Sequence, residues 1–505
     1  MTAKPSDPAK PSDQKAAAKP ADPLAAKPAD PLELDGVGQA ELVRRGAISP
    51  LELVELSIAR IEKWNPVLNA VIHEHFERAR REAAGALPDG PFRGVPFLLK
   101  DLGAGNLAGD PNHWGTRFLR EAGYREATTS YLVEKFRAAG LVIAGRTNVP
   151  ELGAWTTTEP DAYGATHNPF DLTRSSGGSS GGAAAAVAAR MVAMAHASDG
   201  GGSIRNPASQ CGLVGLKPSR GRISLGPDLG ESWAGMVFEF ALTRSVRDCA
   251  VLLDAVAGNM PGDPYTATPP ARPYRLELDA PPAHLRVGIW SDLPGGAVHP
   301  DCAGAARAAA RALERLGHAV EDSRPAALGD EALMQPIVRI ISSAQARAID
   351  RFERVLGRAL GPDDMDCDNW AVTEMGRQTA ASQYLEAVEA LHRMSRRVAA
   401  WWADGFDLLV TPTIPEPPPP LGELVPDPTQ PLKGFLRSGA LTPFLIPFNI
   451  TGQPAVSLPL AWNAEGLPIG VQLVAGFGRE DLLIRTGAQL EEAEPWATRR
   501  PPLLA

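Results

Sequence analysis

Cysteine is scarce in this 505-residue chain, and its four thiols, Cys211, Cys249, Cys302 and Cys367, lie far apart with no CxxC pair among them. That spacing excludes a disulfide scaffold and fits a reduced, cytoplasmic setting. No HExxH occurs among the nine histidines. The nearest approach, His73-Glu74-His75, is an i, i+2 pair that cannot converge on one helix face, so no metal is expected. Positive charge is in deficit: 50 Lys and Arg stand against 59 Asp and Glu, a net charge of -9 that repels phosphates and anionic lipid surfaces more than it attracts them. Neither nucleic acid nor membrane is an expected partner. No apolar run reaches the ~18 residues of a spanning helix, and the N-terminal stretch lacks the continuous apolar segment of a secretory signal.

What is present begins with a repeat. Residues 1–32 run through Ala3-Lys4-Pro5-Ser6-Asp7, Ala9-Lys10-Pro11-Ser12-Asp13, Lys19-Pro20-Ala21-Asp22-Pro23-Leu24 and Lys27-Pro28-Ala29-Asp30-Pro31-Leu32. Proline every few residues with no apolar face cannot build a core, so 1–32 is expected to be a disordered tail, an inert solubilising segment in preference to a docking arm. From Leu34 the apolar residues recur at helical steps, with Ser49-Pro50 as cap and first turn. Short apolar runs then alternate with helical stretches: Val95 to Leu99, Leu141 to Ala144, Leu285 to Trp290, Leu408 to Val410, Ala455 to Leu460 and Ile469 to Val474 read as buried strands. That alternation predicts an α/β fold.

Ala183 to Ala197 is apolar nearly all round and reads as one buried helix beginning where Gly181-Gly182 ends. Ala- and Arg-rich helices are expected over Cys302 to Leu316, Ala344 to Leu360 and Gln378 to Trp402. A hairpin is expected around Asn463-Ala464-Glu465-Gly466 and a closing helix over Arg479 to Glu492. The run Pro417 to Pro420 reads as a stiff connection or a pocket rim. Length suggests about three average domains, but large α/β enzymes often keep one extended core. A single catalytic domain over 33–505 is expected, with a helical lobe around 258–405.

Three features carry the chemistry. Gly177-Gly178-Ser179-Ser180-Gly181-Gly182 and Asp199-Gly200-Gly201-Gly202-Ser203-Ile204-Arg205 set two serines 24 residues apart, downstream of Val95-Pro96-Phe97-Leu98-Leu99-Lys100. Glycines before a serine let successive backbone N–H groups converge where an oxyanion would sit, which makes Ser203 the expected nucleophile. The first cluster formally satisfies GxSxG, the elbow that would make Ser179 the nucleophile, but that elbow follows a strand and Asn168 to Ser176 is polar and turn-forming. A lysine ending an apolar run is ordinarily at the surface. Desolvated, it can lose its proton and serve as a base toward a hydroxyl.

Lys100 in PFLLKD, Ser179 in GGSSGG and Ser203 in DGGGSIRNPASQCGLVGLKPSRGRIS resemble the amidase signature family of serine hydrolases in order and spacing. The similarity runs through Arg146 to Glu151, Thr158 to Pro160, Gly164 to Pro169, Gly452 to Ala455 and Gly466 to Gln472, and covers about residues 34–500. The resemblance implies a three-layer α/β/α sandwich around a large, mixed, twisted sheet, and amide hydrolysis without metal or cofactor. It implies that Ser203 forms the acyl-enzyme and that Ser179, on a cis peptide, relays its proton to neutral Lys100. Backbone N–H groups of Gly200, Gly201, Gly202 and Ser203 would hold the oxyanion, at about 3 to 4 kcal/mol per donor. Asp199, Ser180 and Arg205 would brace the loop. Many family members carry Thr, Ser or Ile at the place of Gly200, so a third glycine is expected to loosen the loop.

Finer similarity lies in GVPFLLKDL, TTEPDAYGATHNP, Arg244 to Asp248, His299 to Asp330, FNITGQPAVSLP and WATRRPPLL. It implies 6-aminohexanoate cyclic dimer, or a related cyclic or linear amide, as the small-molecule substrate. Other aliphatic or aryl amides, esters and carbamates remain alternatives, as does a glutamine-amidase subunit of a tRNA-dependent amidotransferase complex. The family resemblance permits a homodimer. Substrate choice is expected from loops over Leu225 to Leu242, Met334 to Arg347 and Pro420 to Leu445, with Trp233, Met236, Phe238, Phe435 and Phe444 forming an apolar pocket.

Overall fold

The six apolar runs read as strands all join one sheet. In the computed structural model, which describes residues 30–281, 283–293 and 296–504, the strands are β1 Val71–Glu74, β2 Pro96–Lys100, β3 Val142–Thr147, β4 His167–Asn168, β5 Asp171–Ser175, β6 Met194–Asp199, β7 Val214–Lys217, β8 Phe238–Thr243, β9 Arg286–Ile289, β10 Ala319–Glu321, β11 Leu408–Pro412, β12 Ala455–Trp462 and β13 Pro468–Ala475. Eleven of them form one sheet in the order β1-β3-β2-β6-β8-β7-β12-β13-β11-β9-β10, and β4 pairs with β5 separately. The sheet is mixed: β2 runs parallel to β3 and β6, and β9 parallel to β10 and β11, while the centre from β6 through β8, β7, β12 and β13 to β11 is antiparallel.

Both faces of the sheet are covered. Successive side chains of a strand point to opposite faces. At β12, Ser457 packs toward Ser209 of helix Arg205–Gln210, whereas its neighbour Leu458 packs toward Gly487 of helix Glu480–Ala493. Helices on two sides of one sheet give the expected α/β/α layering. Local signals set the helix ends. Helix Pro50–Leu68 starts at a capping box in which Ser49 and Glu52 satisfy each other's backbone N–H, and it stops at Asn69 in the left-handed conformation, φ 49°. Such a cap contributes about 1 kcal/mol. The hairpin at 463–466 and the closing helix also form as read.

The stretch 183–197 is not one helix. Helix Gly181–Ala188 ends early, Arg190 takes φ 56°, and the chain turns into β6 at Met194. β6 sits mid-sheet with all six residues buried, so its sequence shows no alternation, and periodicity alone cannot separate a buried strand from a buried helix. Within 258–405, β9 and β10 join the main sheet before helices Met334–Leu356, Cys367–Arg377 and Ala381–Ala403 pack against one another. Residues 1–29 of the expected tail lie outside the described residues. Its last part, Asp30 to Leu32, belongs to the folded body: Leu32 is buried against Leu42, Ile48 and Leu53, and Asp30 pairs with Arg60. The proline run docks beside β5, where Pro419 O accepts from Ser175 N. Among the described residues no helix is long and apolar enough to cross a membrane.

Candidate active site

Lys100 is the last residue of β2, a strand buried throughout. Its side chain has no solvent exposure, and Nζ lies 2.8 Å from Ser179 Oγ and 2.8 Å from Ser198 Oγ. Burial pulls its pKa from 10.5 down to about 7, against the carboxylates of Glu239 and Asp199, which push it back up. At about 1.4 kcal/mol per unit, holding this amine inside the fold costs several kcal/mol. Once neutral, Nζ has a lone pair able to take the Ser179 proton along the existing contact.

The Ser179 loop is held where only glycine fits. A Cβ on Gly178 would sit 2.5 Å from the carbonyl oxygens of Trp155 and Thr157, and one on Gly177 would sit 2.6 Å from Pro207 Cα. The Gly178–Ser179 peptide bond is cis. Asn206 Nδ2 donates to Gly178 O at 3.0 Å and to Thr156 O at 3.0 Å, which ties this loop to the helix that follows Ser203. Ser180 Oγ donates to Ser198 O at 3.4 Å.

The Ser203 loop is organised by Asp199. Its carboxylate accepts from the N–H of Gly202 at 2.7 Å and of Ile204 at 3.2 Å, and from Arg205 Nε and Nη2 at 3.0 and 2.9 Å. Burial favours protonation, but the Arg205 guanidinium outweighs it and holds Asp199 down to about 2. Asn449 Nδ2 donates to Asp199 O and Oδ1 at 3.0 and 2.8 Å. The three-glycine loop expected to be loose is thus pinned. Gly202 N–H, expected to face an oxyanion, is committed to Asp199. Among the described residues the N–H groups of Gly200, Gly201 and Ser203 have no protein acceptor. At Gly200 a Cβ would lie 3.0 Å from the Trp233 ring, so the indole fills the space a side chain would take.

Ser203 is half-buried in the wall of a cavity of about 580 Å³ shared with Gly178, Gly201 and Gly202. Its walls are mainly apolar and include Trp114, Leu152, Trp155, Trp233, Ile341 and Phe352. Lys100 and Ser179 are joined directly, whereas Ser203 Oγ and Ser179 Oγ are not hydrogen-bonded to each other here. Of the apolar residues expected in the pocket, Trp233 and Phe435 line the cavity; Met236 and Phe444 are core, and Phe238 lies under the Lys217 amine. The segment from Met334 is a helix, not a loop, and turns one face to the cavity. The 151–156 segment of the wall is anchored where Glu151 Oε1 accepts from Asp366 N and Asn369 Nδ2 at 2.8 and 3.1 Å.

Sequence reasoning missed Ser198, His196, Glu239, Asn449, Trp114 and Leu152. Reading 194–199 as a strand would have placed Ser198 and His196 on one face beside Lys100. The other four arrive by pairings distant in sequence, with no local signal.

Comparison with known proteins gives a consistent result. The profile of the Amidase family matches residues 52–484. The chain is 47% identical over 479 residues to a 6-aminohexanoate-cyclic-dimer hydrolase of Pseudomonas sp. (strain NK87), covering 93% of this chain and 97% of that one. A solved structure of 6-aminohexanoate cyclic dimer hydrolase complexed with substrate superposes with TM-score 0.91 at 46% identity, covering 94% of this chain and 100% of that one. A bacterial aryl acylamidase of the amidase signature family superposes with TM-score 0.81 at 27% identity, over 94% and 98% of the two chains.

Proposed function

The chain belongs to the Amidase family and is an amide hydrolase acting on carbon–nitrogen bonds, and from that premise we propose that Ser203 is its nucleophile, with Ser179 and Lys100 completing a Ser-cisSer-Lys triad. The observation that carries this reading is the 2.8 Å contact between Lys100 Nζ and Ser179 Oγ, buried behind the wall that holds Ser203.

Ser203 Oγ attacks the amide carbonyl carbon while Ser179 takes its proton and passes its own to neutral Lys100. The oxyanion is met by free N–H groups among Gly200, Gly201 and Ser203. The Lys100 ammonium then returns the proton through Ser179 to the leaving nitrogen, the C–N bond breaks, and an ester to Ser203 remains. Water repeats the sequence, releasing the acid and restoring the serine. Ser179 moves into hydrogen-bond reach of Ser203 once substrate is seated, since catalytic contacts tighten in the bound complex.

The substrate we propose is 6-aminohexanoate cyclic dimer or a related cyclic or linear amide. Support comes from the similarity to the cyclic-dimer hydrolase along nearly its whole length, and from a cavity whose apolar walls suit uncharged methylene chains. The test incubates the protein and its Ser203→Ala variant with the cyclic dimer, the linear dimer, simple aliphatic and aryl amides, an ester and a carbamate, reading products by mass spectrometry. Ring opening well above the other turnovers, absent in the variant, is expected. Cleavage of only the other compounds would retire the ring specificity and keep the triad.

A further inference from the structure

Behind Lys100 lies a second buried pair that the reaction scheme above does not use. Lys100 N–H donates to His196 Nδ1 at 3.2 Å, and His196 Nε2 lies 2.8 Å from Glu239 Oε2. The other carboxylate oxygen, Glu239 Oε1, accepts from Ala104 N–H at 3.0 Å. All three side chains are buried. The sheet puts them together: Glu239 on β8 is the register partner of Ser198 on β6, and His196 is two residues back on the same face.

The hydrogen bonds fix the chemistry. Because Nδ1 accepts a backbone N–H, the ring proton must sit on Nε2 and point at Glu239, so the imidazole is the neutral Nε2–H tautomer. Burial favours that neutral form. Two donors, His196 Nε2–H and Ala104 N–H, converge on Glu239, and only a carboxylate offers an acceptor to each. A glutamine would turn its NH2 toward one of them. The chain from 103 to 105 is shaped around the pair: a Cβ on Gly103 would sit 2.4 Å from Glu239 Oε1, and one on Gly105 would sit 3.0 Å from the His196 ring.

The charges around Lys100 can be sorted by partner. Asp199, from β6, is paired with Arg205, and Asp101, next in chain, is paired with Arg146 from β3, whose Nη2 also donates to Lys100 O at 3.0 Å. Among the described residues Glu239 has no arginine or lysine ion-pair partner and faces only neutral His196 and a backbone N–H. We infer that His196 and Glu239 are positioning residues for Lys100: the ring holds its backbone at the end of β2, and the carboxylate is the fixed counter-charge to the ammonium that forms when Lys100 takes the Ser179 proton. The inference rests on the reading of Lys100 as the base.

The experiment is the pH profile of kcat/KM for wild type and Glu239→Gln, with Lys100→Met alongside. Without the counter-charge the ammonium is less favoured, so the acid limb of Glu239→Gln moves to lower pH by about one unit, and its plateau falls about tenfold because the base is weaker. Glu239→Asp, which keeps the charge, retains a limb near that of wild type. If Glu239→Gln does not fold, the paired variant His196→Phe, Glu239→Met removes the charge without opposing two donors, and the same downward shift is expected. A limb that stays at the wild-type midpoint in the charge-free variant, whatever the loss in rate, overturns the inference and leaves the triad standing. If Lys100→Met keeps the wild-type rate, the base assignment fails and this inference fails with it.

Discussion

The two sides of the cavity are built differently. On the Lys100 side, side chains from β2, β6 and β8 are locked by strand register, every polar atom of Lys100, His196, Glu239 and Asp199 described above has a partner, and nothing reaches solvent. In the rest of the wall, helix Met334–Leu356 and the 229–233 segment offer mostly apolar side chains, several of them partly exposed: Met334 at the rim is 61% exposed. The first side fixes proton positions to within a hydrogen bond. The second only shapes a volume. Chemistry should therefore fail sharply when the sheet side is changed, and selectivity should drift when the helical side is changed.

The largest expected effect comes from the triad. Ser203→Ala and Lys100→Met should each lower kcat by at least about a thousandfold, measured by product release under saturating substrate. Lys100→Met should at the same time stabilise the fold. The folded pKa of Lys100, about 7, lies below its unfolded 10.5, so between these values the unfolded chain binds the extra proton. Its burial is most costly at pH 7 and below, and the cost falls as pH rises through that window. The variant's melting temperature should exceed that of wild type at pH 7, with the gap narrowing toward pH 10.5. In wild type, activity should fall below about pH 7 as Lys100 takes up a proton.

Next in size is Ser198→Ala, which removes one of the two hydroxyls on Lys100 Nζ. A lost hydrogen bond of about 1 to 1.5 kcal/mol predicts roughly a tenfold drop in kcat with KM little changed. Changes at Trp233 should act the other way round. Trp233→Ala uncovers the Gly200 loop and widens the cavity, so KM for a small cyclic amide rises while bulkier amides gain in kcat/KM, read from competition between substrates. The smallest effect belongs to the helix wall: Ile341→Ala should raise KM about fivefold, as expected from losing roughly 1 kcal/mol of apolar contact, with kcat unchanged. A large kcat loss there would erase the contrast between the two sides.

The same contrast explains what the sequence makes legible. Strands such as β2 and β13 announce themselves as apolar runs between turn residues, and Lys100, Ser179 and Ser203 stand out through the glycines around them. β6 stays hidden because burial on both faces removes its alternation, and with it goes the reason to connect Ser198 and His196 with Lys100. Glu239 reaches the site only through cross-strand register with Ser198, which no local pattern encodes. The N–H of Gly202 looks like an oxyanion donor in a run of glycines until the Asp199 carboxylate, folded back three residues, is seen to take it. Trp114 and Leu152 enter the cavity wall from segments that carry no pocket signature of their own.

Ser203, and not Ser179, is expected to carry the acyl group. Rapid acid quenching of the protein during turnover of a slow ester or amide, followed by peptide mapping, reads this directly. The predicted result is an acyl mass on the peptide containing Ser203, lost in Ser203→Ala. An adduct on Ser179, or none in a protein that still turns over, would contradict it.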